Sequence, residues 1–82
     1  VPQLLKNVRI HHPNPLREET VIQAIAMAHQ KLEEEKRGRL LVRPSGTEPL
    51  IRILVEGEEE GLNQQLADFL SEALESLDRK AA

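Results

Sequence analysis

Arg43-Pro-Ser-Gly-Thr-Glu-Pro-Leu-Ile-Arg52 packs two hydroxyls, a glycine and two guanidinium groups into ten residues between two apolar, strand-like runs. A hairpin needs only an inexpensive turn such as Asn-Gly, so the composition raises the question of a ligand. Ser45, Gly46 and Thr47 offer successive backbone N–H groups, and Gly46 permits positive φ. A concave run of N–H donors accepts anions. The Ser45 and Thr47 hydroxyls add donors, and Arg43 adds a planar fork matched to phosphate oxygens. Arg52 stands further along the next run as a second cation. Pro44 and Pro49 stiffen both ends, which lowers the ordering cost of binding. No general base lies near Ser45, so the chemistry suggested is phosphate binding rather than nucleophilic attack. Ordinary turn composition accounts for the same Ser, Gly, Thr and Pro, and on the residues alone both readings stand.

The elements that hold this turn follow from periodicity. Gln3–Ile10 reads as a first strand, and "HHPNPL" as a loop broken by two prolines. Val21, Ile25, Ala28 and Leu32 recur at helical spacing. Glu18 and Glu19 load the start of that helix, Lys36 and Arg37 its end, and Gly38 is its expected stop. Arg39–Arg43 and Leu50–Glu56 read as strands, the second with Ile51, Ile53 and Val55 on one face. A second helix is expected over roughly Glu59–Leu77, with Leu62, Leu66, Phe69, Leu70, Ala73 and Leu77 as its apolar stripe and a frayed tail after it. The pattern β-α-β-β-α predicts one α+β domain over residues 1–82: a two-layer sandwich, mainly antiparallel, with two helices on one face of the sheet.

Composition narrows the function classes. The chain has 82 residues, a net charge of −3 and a single aromatic, Phe69. An acidic balance with no stacking platform argues against nucleic acid as a partner. No apolar run approaches a membrane span, so no membrane partner is expected. No cysteine is present, which excludes disulfides and thiolate zinc and fits the cytoplasm. His11 and His12 are neighbours in an extended loop and point apart, so neither they nor the solvated "EGEEEG" run reads as a metal site. His29 and Met27 read as residues beside the first helix's apolar face. Glu48 reads equally as a partner orienting Arg43 or Arg52 and as a solvent-facing turn residue. Val1 opens without Met directly into a strand-like run, and the expectation is a piece of a longer protein.

"RPSGTEPLIR" resembles the phosphate-binding loop in the C-terminal, fourth domain of the α-D-phosphohexomutase family. "PQLLKNVR" and "GRLLVRPSGTEPLIRILVEGE" carry the resemblance over nearly the whole chain. Its nearest branch is the bacterial one that moves phosphate between carbons 6 and 1 of glucosamine; branches acting on mannose or glucose phosphates are the alternative. The resemblance implies a domain like that of phosphoglucomutase, with the sheet layout also found in the TATA-binding protein. It implies four domains around a cleft, a phosphoserine on the first, Mg2+ on the second, and a bisphosphate intermediate that reorients. The fourth clamps the substrate's non-reacting phosphate. Carried over, Arg43, Ser45, Gly46 and Thr47 bind phosphate, Arg52 less directly, and no catalytic or metal-binding residue lies in this domain. The implied partners are a phosphosugar and the other domains of the same chain. A non-catalytic α+β interaction module is the reading from another class.

The family's active serine, magnesium loop and sugar-recognition loop are absent from these 82 residues. The isolated chain is expected to read background in a coupled mutase assay, and clear turnover would refute that expectation.

Overall fold

The computed structural model describes residues 1–34 and 38–81. The order is β1 (Gln3–Arg9), one 3-10 turn (Pro15–Arg17), α1 (Glu19–Glu33), β2 (Arg39–Pro44), β3 (Leu50–Glu56) and α2 (Glu60–Ala81). β3 is the middle strand, antiparallel to β1 on one side and β2 on the other. β1 and β2 therefore run parallel with β3 between them, and α1 makes the crossover of a split βαβ unit. The expected α+β sandwich is the observed one, with three strands among the described residues.

Alternation in β3 sets the layers. Ile51, Ile53 and Val55 are 3%, 0% and 0% exposed, while Arg52 points to the opposite, open face. Val8 from β1 and Leu40 from β2 join them, and Val21, Ala24, Ala28 and Leu32 of α1 close the core from above. Ala24 is buried while Ile25 is only partly so, which turns the α1 stripe slightly from its expected direction. Lys6, on the helix side of β1, reaches Asp68 of α2 at 3.1 Å, and this bond holds the Asp68 carboxyl below its ordinary range.

α2 departs further from the sequence pattern. Its buried side is Asn63, Leu66, Ala67, Leu70, Ser71, Leu74 and Leu77, and Phe69 is 40% exposed. The reason is close approach: Ala67, at 0% exposure, lets the helix settle against the layer beneath, which turns Phe69 outward. Phe69 and the exposed Met27 instead line a groove between the helices, and His29 is exposed. Asn63 is buried because its side-chain amide donates to the Gly57 carbonyl at 3.0 Å. The expected frayed tail is helix through Ala81, since Asp78 is held by tertiary hydrogen bonds.

Gly38 is not the residue that stops α1, whose C-cap is Glu34; Lys36 and Arg37 lie outside the described residues. Glycine is required there by space. A Cβ on Gly38 would sit 2.7 Å from the Leu32 carbonyl oxygen and 2.9 Å from the Leu32 Cβ.

The corrected α2 face makes a contrast between two substitutions. Leu74→Ala should lower unfolding free energy by about 2–5 kcal/mol. Phe69→Ala should cost under about 1 kcal/mol despite removing more atoms, because its side chain keeps much of its contact with water. Urea unfolding of both variants checks the order.

Candidate anion-binding loop at the end of the sheet

The turn joining β2 to β3 is held from three sides. Ser45 N–H donates to the Leu50 carbonyl at 2.9 Å, and Leu50 N–H donates to the Glu48 carbonyl at 2.7 Å, which closes the turn on itself. Ile10 N–H donates to the Pro49 carbonyl at 2.8 Å, which ties the turn to the end of β1. Arg9 lies 3.5 Å from the Glu48 carboxylate. Both side chains of that pair are well exposed, so it contributes at most about 1 kcal/mol. Glu48 therefore pairs with Arg9, and not with Arg43 or Arg52.

Two details differ from the sequence expectation. The Ser45 N–H is committed to Leu50, so it is not an open donor. Gly46 does not have positive φ. The Gly46 and Thr47 N–H groups and the two hydroxyls of Ser45 and Thr47 form no hydrogen bond among the described residues. Gly46 and Thr47 are exposed and Ser45 is half-buried.

The strand register brings the two arginines together. Arg43 and Arg52 are direct partners across the β2–β3 ladder, both exposed on the open face. Like charges directly opposite each other are unfavourable. Among the described residues neither makes an ion pair. A depression of about 180 Å3 lies beside them, lined also by Leu5, Leu41 and Leu54.

A second loop, residues 11–14, stands next to the turn. His11 N–H and His12 N–H both donate to the Asp78 carboxylate at 3.0–3.1 Å. These bonds, that from His11 foremost, hold the Asp78 carboxyl below the usual carboxylate range. His12 Nδ1 accepts from Asn14 N–H at 3.1 Å, and Nε2 lies 2.8 Å from Glu18. With Nδ1 accepting, the neutral ring carries its proton on Nε2 and donates it to Glu18. A cleft of about 200 Å3 separates His12, Pro13 and Pro15 from Pro44, Ser45 and Glu48. A cavity of about 290 Å3 lies away from this end, between Met27, Leu66 and Phe69. It gathers no convergent donors, so volume and chemistry point to different places.

Sequence reasoning named Arg43, Ser45, Gly46, Thr47 and Arg52, and the fold brings all five to one end of the sheet. It missed Arg9, Glu18 and Asp78, which fix the neighbouring loops. No local signal marks Asp78, because its partners are 66 and 67 residues away in sequence. Among the described residues no group of three His, Asp or Glu side chains is arranged to hold a metal ion, and no helix is long and apolar enough to cross a membrane.

This is a small α+β fold in which a loop closed by its own backbone bonds and an arginine pair lie at one end of the sheet. Residues 5–73 match the family described as phosphoglucomutase/phosphomannomutase, C-terminal domain. The chain belongs to that family. It is 53% identical over 70 residues to phosphoglucosamine mutase of Rhizobium meliloti, a match that covers 85% of this chain and 15% of the relative. It is 49% identical over all 82 residues to the enzyme of that name from Sinorhizobium medicae, covering 18% of the relative. For the one from Methylobacterium radiotolerans the identity is 45% over 82 residues, 17% of the relative. The chain thus spans less than a fifth of the length of these relatives.

The Asp78 bonds give a pH signature. Its lowered carboxyl contributes stability that is complete above the unfolded-state value, about pH 4, and is lost as pH falls through the folded-state value. Asp78→Asn should lower the melting temperature at neutral pH and flatten its decline below about pH 4. Melting curves across the acid limb measure both.

Proposed function

We infer that this chain is the substrate-phosphate-binding domain of a phosphoglucosamine mutase. The observation that carries this reading is the opposed pair Arg43 and Arg52, without a carboxylate partner among the described residues, at the base of the exposed loop. A bound dianion relieves the repulsion that the fold builds in. Gly46 adds support. Its φ is not positive and a Cβ there would meet nothing within 4 Å, so the fold has no need of glycine at that position. Close approach of a ligand to the backbone does have that need.

Arg43 and Arg52 supply charge, the hydroxyls of Ser45 and Thr47 donate, and the Gly46 and Thr47 N–H groups complete the cradle. Such a donor set recognises a phosphate and is indifferent to the sugar carbon that bears it. That suits a reaction interconverting glucosamine 6-phosphate and glucosamine 1-phosphate through a bisphosphate, in which each phosphate occupies the clamp in turn. Remote binding energy positions the reacting end. The phosphoserine belongs to the rest of the polypeptide. So does magnesium. The whole protein acts in the bacterial cytoplasm, toward cell-wall precursors.

The test is an amide chemical-shift titration of the isotope-labelled chain. Glucosamine 6-phosphate and inorganic phosphate should both shift Ser45, Gly46 and Thr47, and glucosamine should shift none. Arg43→Ala should weaken phosphate binding by about 10- to 100-fold, the worth of a charged hydrogen bond. Gly46→Ala should abolish the response while leaving the unfolding midpoint unchanged. Shifts that follow glucosamine, or a Gly46→Ala variant that binds normally, would overturn the reading.

A further inference from the structure

The sheet face that the helices leave open is unlike the rest of the molecule. Its strands carry four arginines, Arg9, Arg39, Arg43 and Arg52, against Glu56 and the turn residue Glu48 that pairs with Arg9, on a chain whose net charge is −3. The register sorts it into cross-strand rows. Gln3, Glu56 and Arg39 form one, Leu5, Leu54 and Leu41 the next, and Asn7, Arg52 and Arg43 the third. The middle row is wholly leucine, and Leu5 is 61% exposed. A leucine row flanked by cations on a face that the fold's own layers do not use has the anatomy of an interface: an apolar centre with a polar rim.

Charge and composition choose the occupant. Two copies set face to face would bring together surfaces of the same net sign. Nucleic acid would find cations but no aromatic ring to stack on, since the one aromatic, Phe69, lies in the helix layer. The matched relatives extend far beyond this domain, which covers 15–18% of their length. We propose that the open sheet face docks against an acidic surface with an apolar centre in the remainder of the same polypeptide. Leu5, Leu41 and Leu54 fill the contact and the arginine rows meet carboxylates at its edges.

This rests on the reading of the chain as one domain of a longer mutase. Arg43 and Arg52 belong both to this face and to the base of the loop, so ligand and docking share two cations. Neutralising them with a bound anion changes the field across the face, and docking changes the field at the loop. The two events are therefore coupled in both directions.

Thiol labelling of the full-length protein in a cysteine-free background tests the proposal. L5C places a reporter on the open face. M27C places one on the helix layer, where Met27 is 57% exposed. L41C repeats the first on β2, and melting curves establish that each variant is folded. L5C and L41C should label about tenfold or more slowly than M27C, as expected of a site that reacts only on local opening. Adding Arg39→Glu, or raising salt, should speed L5C severalfold and leave M27C unchanged. Equal rates for L5C and M27C overturn the proposal. Protection lost on dilution together with a dimer assigns the face to a second copy, and protection that needs added RNA assigns it to nucleic acid; either overturns it. A phosphosugar titration on the same samples separates the two readings. Exposed L5C with an intact phosphate response defeats docking alone. Protected L5C with no phosphate response defeats the phosphate clamp alone.

Discussion

The alternation of β3 is the constraint on which the rest depends. Ile51, Ile53 and Val55 are almost wholly removed from water, and they fix the strand's parity in the sheet. A slip of one residue would bury Arg52 and Glu56 and expose the three branched side chains, a change far outside the stability of a small domain. Because β3 is paired on both sides, that parity passes to β1 and β2 through the register. Arg52 is thereby held opposite Arg43, and Leu54 between Leu5 and Leu41. The face that carries the arginines and the leucine row is the complement of the core.

The turn between β2 and β3 inherits its rigidity from this arrangement. It is closed by its own backbone bonds, tied to β1 through Ile10 and Pro49, and flanked by a loop that Asp78 fastens to the last turns of α2. The attachment runs from one end of the domain's sequence nearly to the other. A loop fixed in this way has little conformational freedom left to lose. The unfavourable Arg43–Arg52 opposition is a local conflict set within an otherwise consistent fold, which is where a binding site is to be expected.

The two layers divide the chain's charge. Acidic residues crowd the starts and outer faces of the helices, where Glu19 and Glu60 favour the helix dipole, and arginines gather on the sheet. A net acidic chain can therefore present a basic face. Bulk composition argues correctly about average behaviour and says nothing of this separation, because net charge sums over surfaces that never act together.

Much of this was legible in the residues. The boundaries of β3, the positions of both helices and the α+β layout follow from short-range periodicity, which the backbone enforces locally. The chemistry of Arg43, Ser45, Gly46 and Thr47 is likewise written in residue types next to one another. The α2 stripe was only half legible. Phe69 and Leu74 fit helical spacing equally well, and the close approach at Ala67 chose between them. Gly38 was legible as a breaker but not as the one residue that fits beneath Leu32. By itself the sequence determined which segments are helix or strand and which turn gathers hydroxyls, a glycine and flanking arginines, since those properties depend on neighbours within a few residues. Only the tertiary structure decided that β3 lies between β1 and β2, that Arg43 faces Arg52, that Glu48 belongs to Arg9, and that Asp78 holds His11 and His12. Each of these requires segments distant in the chain to meet, and what brings them together is the burial of the shared apolar core.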